Sequence, residues 1–167
     1  GWEVAGQSYC FSAPSGALVT EEGSGTAVRD PAPHEVRALR TRIGAQWSGV
    51  LERPSWWSNW RAPLADDVCL GWVDGDELVG YMRYRTVGKD GPRGWEAEVV
   101  VSDLWAARRS ALDGFLRVLS TTQPVSPRIR FAHGVLPADT PLRQRISATL
   151  VPEGVRDWLL RVIEPQA

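Results

Sequence analysis

The sequence predicts one mixed α/β (α+β) domain, built on a largely antiparallel sheet that helices flank. Three observations lead to this prediction. The chain has 167 residues, 43% of them hydrophobic and 23% charged, which suits a single globular domain. Its elements follow the order helix, three strands, helix, strand, helix, strand. Between the first two strands of that run stands Asp74-Gly75-Asp76-Glu77, and an Asp-Gly turn between alternating apolar runs strongly indicates a hairpin.

Before these elements, a strand is predicted over residues 2–13, where Val4, Tyr9 and Phe11 alternate with polar neighbours. Residues 20–33 are rich in Gly, Ser, Pro and charge, a composition typical of a linker. We therefore place a boundary here. We expect the first strand to belong to another unit and to contact the rest of the chain at an edge.

An amphipathic helix is predicted over residues 34–51, because apolar side chains recur at steps of three and four. Pro54 ends it. A short aromatic segment with Trp56, Trp57 and Trp60 follows. These rings would suit the lining of a ligand groove, and they would equally suit packing between a helix and a sheet. They are the candidate substrate-binding residues.

Three strands, at residues 68–73, 78–85 and 95–101, follow as an antiparallel meander. On the middle strand, Tyr81 and Tyr84 differ by an odd number of positions. Since successive side chains of a strand point to opposite faces, we expect these two rings on opposite sides of the sheet.

A second long helix is predicted after the third strand, with Ser102 and Asp103 as its N-terminal cap. A strand at residues 129–132, a short helix at 141–150 and a strand at 155–163 complete the order. The predicted apolar face of the second long helix consists of Ala107, Ala111, Leu112, Phe115, Leu116 and Leu119.

The composition argues against several classes of function. With 19 basic and 20 acidic residues the net charge is -1, and no basic excess points to nucleic acid. No apolar run approaches the roughly 18 residues of a membrane span, and the first residues do not resemble a signal peptide. We expect a cytoplasmic protein, with no nucleic acid and no membrane among its partners.

No metal site and no catalytic residue are assigned. The histidines, His34 and His133, stand far apart and no Cys-x-x-Cys pair occurs. We expect Cys10 and Cys69 to be small buried residues rather than a disulfide or a reactive thiol. No Gly-x-Ser-x-Gly elbow occurs, and the adjacent carboxylates at residues 66–67 do not span a cleft.

Four stretches of the chain carry a family resemblance, which rests on their order. One is Arg53-Pro54-Ser55-Trp56-Trp57. The others are residues 1–6 with their alternating tail to Pro14, residues 78–84 with 98–101, and residues 139–143 with 155–162. Together they resemble the central, second GNAT-like domain of the Eis-type (enhanced intracellular survival) N-acetyltransferases.

This resemblance implies a GNAT-like fold and a longer parent protein. The parent would have an N-terminal GNAT domain that binds acetyl-CoA, this second domain, and a C-terminal sterol-carrier-like domain. Residues 1–19 would be the terminal strand left over from the first GNAT domain, residues 20–33 the linker, and residues 34–167 a degenerate GNAT-like domain. The missing domains would be its partners, and homo-oligomers are expected.

The resemblance also locates the place where a GNAT domain holds its cofactor. In the family, a Gln/Arg-x-x-Gly-x-Gly/Ala turn presents backbone N–H groups and a helix N-terminus to the CoA pyrophosphate. Here residues 101–109 contain no glycine. We expect Asp103 to place a negative charge at this point, Leu104 and Trp105 to add bulk, and Arg108 and Arg109 to be solvated.

The function expected from these features is a scaffold. The chain would bind no CoA, would be inactive alone and would help to shape the substrate cavity of a parent that transfers acetyl groups from acetyl-CoA to amines. Two alternatives stay open: an independent small GNAT acetyltransferase with an atypical CoA site, and a tryptophan-rich binding module.

Overall fold

The computed structural model describes residues 3–18, 25–46, 66–88, 97–122, 126–132, 135, 144, 146 and 149–160. Within these residues, seven strands form one sheet in the order β2-β3-β4-β5-β6-β1-β7. All neighbouring pairs are antiparallel except β5 and β6, which run parallel. The strands are β1 (Glu3–Pro14), β2 (Thr26–Arg29), β3 (Val68–Asp74), β4 (Glu77–Gly88), β5 (Ala97–Ala106), β6 (Arg128–Phe131) and β7 (Val151–Leu160).

In the part of the chain that the structure describes, two helices of twelve residues pack against this sheet and bury two separate apolar clusters. Helix α1 (Pro33–Gly44) lies against β4 and β5, and its Leu39 and Ile43 are buried there. Helix α2 (Arg109–Ser120) lies against β3, β4 and β5, and its side chains enter the larger cluster. The predicted mixed, largely antiparallel sheet with flanking helices is confirmed. Neither described helix has the length and apolarity needed to cross a bilayer.

The predicted hairpin and the start of the first helix are confirmed. Strands β3 and β4 pair from Val68↔Tyr84 to Asp74↔Glu77, and Gly75 in the turn has φ +63°. Helix α1 begins at Pro33, one residue before the predicted start. The Glu35 carboxylate accepts a hydrogen bond from the Ala32 N–H (3.1 Å), which satisfies one N-terminal donor. The predicted helix beyond residue 46 lies outside the described residues.

The predicted linker contains a strand. Residues 26–29 form β2 at one edge of the sheet and pair with β3, from Thr26↔Val73 to Arg29↔Leu70. Three of its four residues are exposed, so β2 does not alternate between buried and exposed side chains. The polar composition of the surrounding segment therefore indicated a linker rather than a strand.

The first strand does not lie at an edge. β1 lies between β6 and β7, and Phe11 and Ala13 are buried in the larger apolar cluster. The expectation that this strand contacts the rest of the chain at an edge is therefore wrong. Its origin in a preceding GNAT domain, and the boundaries drawn around it, stay predictions.

The second helix starts later than its predicted cap. β5 continues to Ala106 and pairs with β4 up to Gly80↔Ala106, and α2 begins at Arg109. Ser102 and Asp103 are therefore strand residues, so their prediction as a helix cap is wrong. Residues 103–106 pair with residues 80–83 of β4, and this ladder prevails over the local capping preference.

Candidate functional site

The parallel strands β5 and β6 separate just before α2. They pair at Val99↔Ile129, Val100↔Arg130 and Val101↔Phe131, and the Ala132 N–H then donates to the Val101 carbonyl (2.9 Å). Beyond that point β5 continues for five residues, paired among the described strands with β4 alone.

A β-bulge marks the level at which the two strands part. Opposite the consecutive residues Tyr84 and Arg83 stand Val101 and Asp103, so Ser102 is the extra residue. Bulges of this kind bend a strand and are common beside functional sites. The fork above this bulge, followed by the start of α2, is where the family resemblance places the cofactor.

The connection from β5 to α2 is two residues long and contains no glycine. Its first residue, Ala107, already donates its N–H to the Val79 carbonyl on β4 (2.8 Å). Arg108 stands at the N-cap, and no side chain caps this end of α2. The Leu112 N–H donates to the Arg108 carbonyl (3.3 Å) as the first helical bond. A glycine-rich turn of aligned amides is therefore replaced by a tight extension of the sheet.

The Arg108 side chain is bound to the β3–β4 hairpin. Its guanidinium pairs with the Asp74 carboxylate and with Glu77 Oε2 (2.9 Å). Glu77 also pairs with Arg42 at the end of α1, whose guanidinium donates in addition to the Leu78 carbonyl (3.2 Å). Two arginines and two carboxylates thus link both helices to one hairpin. The sequence did not reveal these partners, because the residues come from three distant segments.

These contacts are a poor fit for a CoA pyrophosphate. A diphosphate needs several free amides and unpaired positive charge. Here one amide of the junction is used by β4, and the cation nearest the helix start is neutralised by two carboxylates. Arg109 is the more open of the two arginines, with 74% of its side chain exposed and Asp113 3.6 Å away.

Asp103 lies away from the start of α2, contrary to the prediction. It is 6% exposed on β5, and its Oδ1 accepts a hydrogen bond from the Trp105 indole N–H (2.7 Å). Its Oδ2 lies 3.6 Å from the Arg40 guanidinium of α1, which also lies 5.2 Å from the centroid of the Trp105 ring. The Asp103 carboxylate and the Trp105 ring therefore hold α1 against β5 rather than block a phosphate. Leu104 packs against the larger apolar cluster.

A second ion pair lies beside the bulge. The Arg83 Nε donates to Ser102 Oγ (3.1 Å) and lies 3.8 Å from Asp67 Oδ2. Ser102 Oγ in turn donates to the Arg83 carbonyl (3.3 Å). Because the carboxylates of this region face arginines, the arrangement favours structural ion pairing over general-base chemistry.

Tyr81 and Tyr84 lie on opposite faces of β4, as predicted. Tyr81 belongs to the cluster under α1, and Tyr84 packs against the cluster under α2. Burial, and then a hydrogen bond to Cys69 Sγ (3.5 Å), raises the pKa of Tyr81 well above its usual value. Burial also raises the pKa of Tyr84. Both phenols therefore stay protonated at neutral pH.

The two cysteines are free and buried, as predicted. Burial raises the pKa of the Cys10 thiol, although nearby Arg130 opposes the shift. Arg130 donates to Glu98 Oε2 (3.0 Å) across β5 and β6, and Glu98 is 5% exposed. A protonated, buried thiol beside a satisfied ion pair is a structural residue rather than a nucleophile.

The candidate substrate-binding residues Trp56, Trp57 and Trp60 lie outside the described residues, as does His133. His34 is exposed in the first turn of α1. Among the residues that the structure describes, no group of three His, Cys, Asp or Glu side chains is arranged to hold a metal ion.

Comparison with known proteins identifies the family. The family model of the acetyltransferase (GNAT) domain matches residues 49–162. This match covers more than half of the chain, which therefore belongs to the GNAT acetyltransferase family. The reaction associated with this family is acetyl transfer. The search of curated proteins gives no match.

Solved structures share the fold at low sequence identity. A GCN5-related N-acetyltransferase from Anabaena variabilis superposes with a TM-score of 0.78 at 14% identity, over 95% of this chain and 41% of its own. Eis1 from Mycobacterium abscessus superposes with a TM-score of 0.68 at 21% identity, over 95% of this chain and 42% of its own. A GCN5-related N-acetyltransferase from Kribbella flavida superposes with a TM-score of 0.67 at 17% identity, over 95% of this chain and 38% of its own. The GNAT fold is confirmed, and the chain spans about two fifths of these structures.

Proposed function

We propose that this chain is a degenerate GNAT domain that binds no acetyl-CoA and serves as a scaffold in an Eis-like N-acetyltransferase. The parent protein would transfer acetyl groups from acetyl-CoA to amines, and this domain would help to shape the cavity for the amine substrate. The observation that carries the proposal is the junction between β5 and α2, where the Ala107 amide is bound to β4 and the Arg108 guanidinium to two carboxylates.

The first support for the proposal is the backbone hydrogen bonding at this junction. A GNAT-type turn offers several N–H groups that converge on phosphate oxygens. The Ala107 N–H instead continues the hydrogen bonding of β4 and β5. Releasing it for a ligand would leave the buried Val79 carbonyl without this donor, a loss of about 1–3 kcal/mol.

The second support for the proposal is the ion pairing of the side chains at the junction. Arg108 would have to leave Asp74 and Glu77 to bind a phosphate, and those carboxylates would then face the incoming anion. Repulsion between these carboxylates and the phosphate would raise the free-energy cost of binding further. The charge that disfavours CoA therefore comes from the β3–β4 hairpin, and Asp103 has no part in it.

The place of this domain in a larger enzyme rests on three kinds of support. The ordered sequence stretches resemble the second domain of Eis-type enzymes, Eis1 shares the fold, and the matched structures are more than twice as long. In the proposed parent, acetyl-CoA is held by a preceding GNAT domain, and a sterol-carrier-like domain follows. Cytoplasmic location, homo-oligomers and a substrate-binding role for Trp56, Trp57 and Trp60 belong to the same proposal.

Isothermal titration of the chain with acetyl-CoA tests the proposal. We expect no saturable heat up to roughly 1 mM ligand, a limit that corresponds to about 4 kcal/mol of binding free energy. A GNAT enzyme of known affinity, titrated in the same buffer, is the positive control. A micromolar Kd would contradict the proposal and favour an independent acetyltransferase. If that binding disappeared in Arg108→Ala, the site would be the start of α2.

A further inference from the structure

Two arginines from different helices bind the same carboxylate. Arg42 lies in the last turn of α1, and Arg108 is the N-cap residue of α2. Arg42 pairs with one oxygen of Glu77, Oε1, and Arg108 Nη2 donates to the other, Oε2 (2.9 Å). Arginine binds phosphate oxygens with the same fork geometry that it uses for carboxylates. The two guanidinium groups, called the arginine clamp below, therefore converge on a position that suits one anion.

The arginine clamp is also held by contacts that do not involve Glu77. Arg42 Nη2 donates to the Leu78 carbonyl (3.2 Å), and Arg108 Nη1 pairs with Asp74. The bond to Leu78 is a bond to the backbone of β4, so it does not depend on a carboxylate. A side chain that is already positioned loses less conformational entropy when a ligand arrives. We therefore expect Arg42 to stay in place when the charge of Glu77 is removed.

The arginine clamp and its two carboxylates lie at the surface. Between 35% and 48% of each of these four side chains is exposed. Ion pairs with this exposure contribute little to stability, because water solvates both partners well. Neutralising the carboxylates should therefore leave the domain folded and the guanidinium groups accessible to an anion from solution.

The hairpin carboxylates exclude such an anion in the unmodified chain. Glu77 belongs to the hairpin beside the clamp, so its carboxylate is present at a high effective concentration and an external anion must displace it. A phosphate group that approached the clamp would also be repelled by the negative charges of Asp74 and Glu77. The two positive and two negative charges of the cluster thus balance without a ligand.

We propose that Arg42 and Arg108 form a phosphate-binding site that the Glu77 carboxylate keeps closed by taking the place of the ligand. Asp74 contributes by holding Arg108. The contact is therefore autoinhibitory, and the open site takes a phosphate group that offers one oxygen to each guanidinium. This inference rests on the proposed function in one respect, namely that the unmodified domain binds no CoA at the start of α2.

Titration with inorganic pyrophosphate tests the arginine clamp. In the open variant, Asp74→Asn combined with Glu77→Gln, both side chains lose their charge and keep their size. The Nε–H signals of Arg42 and Arg108 in ¹H–¹⁵N NMR spectra report binding at the clamp itself. At low salt we expect a Kd of about 1 mM or tighter, at least roughly tenfold tighter than in the unmodified chain. Circular dichroism confirms that the open variant is folded.

A control variant separates the clamp from a general effect of charge. Asp66→Asn combined with Asp76→Asn changes the net charge by the same amount at two exposed residues outside the cluster. This control should bind pyrophosphate no more tightly than the unmodified chain does. Adding Arg108→Gln to the open variant should abolish the gain in affinity. If the open variant does not fold, Glu77→Gln alone replaces it, and the Arg42 signal should then shift at higher pyrophosphate concentrations.

Three results would overturn the proposal: no pyrophosphate binding by the folded variants, equal binding by the control variant, or an unmodified chain that already binds as tightly as the open variant. Adenosine diphosphate is the second probe. Tighter binding than that of pyrophosphate would support a nucleotide as the source of the phosphate, and equal or weaker binding would support a free phosphate. The proposed function fails separately, through binding of acetyl-CoA to the unmodified chain.

Discussion

The indole ring of Trp72 lies against the backbone of Gly114, so closely that a Cβ at residue 114 would stand 2.2 Å from the ring. Trp72 comes from β3, Gly114 lies within α2, and the ring meets Phe115 edge-on at 5.8 Å between centroids. Glycine usually weakens a helix interior. Here its missing side chain lets α2 approach the sheet, so the larger apolar cluster depends on it.

Gly114→Ala is expected to destabilise the fold. Alanine gains up to about 1 kcal/mol in helix propensity, but the added methyl group must displace a buried indole ring. We expect a net loss of about 1–3 kcal/mol in the free energy of unfolding. Urea unfolding followed by circular dichroism measures it.

Gly88→Ala is the matched control, because a Cβ at residue 88 would meet nothing within 4 Å. A smaller ring should relieve the clash, so Trp72→Phe combined with Gly114→Ala should cost less than the sum of the two single changes. A stabilised Gly114→Ala variant would show that the ring does not hold α2 at this distance.

Asp103→Asn tests whether this buried carboxylate holds α1 to β5. The variant keeps an acceptor for Trp105 but removes the charge that faces Arg40. We expect a loss of about 2 kcal/mol in the free energy of unfolding, since a partly buried guanidinium loses its counter-charge. Combining it with Arg40→Met completes a double-mutant cycle, and a coupling energy of about 1–2 kcal/mol is expected. Arg109→Met, at a largely exposed position, is the control, and equal losses in both variants would contradict this account.

Local patterns in the sequence were sufficient for the hairpin and for most of the apolar face of α2. Ala111, Leu112, Phe115, Leu116 and Leu119 are all buried, as their spacing predicted. Tyr81 and Tyr84 also lie on opposite faces. These features depend on residues within one or two turns of helix or one strand, so the chain encodes them locally.

Features that depend on distant partners could not be predicted in this way. Ser102-Asp103 has the local character of a helix cap, but the pairing of β5 with residues 80–83 of β4 makes it part of a strand. β2 has no apolar alternation, and its pairing with β3 defines it. The pairs of Arg108 with Asp74 and Glu77 exist because a turn and a helix end meet in three dimensions. Absence of the glycine turn was visible in the sequence, but the groups that replace it were not.

Exposed and buried ion pairs should respond differently to charge removal. Glu77 pairs with Arg42 and Arg108 through side chains that are 44–48% exposed, so Glu77→Gln should cost less than about 1 kcal/mol and lose its effect near 1 M salt. Glu98 is 5% exposed beside Arg130, so Glu98→Gln should cost about 2–3 kcal/mol with little dependence on salt. Urea midpoints at low and high NaCl measure both. Similar salt dependence in the two variants would refute the distinction.

Stability should fall at alkaline pH because of Tyr81. Its pKa in the folded state is raised above the usual 10.0 by burial and by the bond to Cys69, so the folded chain keeps a proton that the unfolded chain releases. The contribution is therefore complete below about pH 10 and declines above it, by up to about 1.4 kcal/mol for each pH unit. Tyr81→Phe should flatten this decline in urea midpoints between about pH 8 and 11. A smaller slope should persist, because the pKa values of Tyr84 and Cys10 are raised as well. If the variant kept the full slope, Tyr81 would not be the phenol whose ionisation opposes folding.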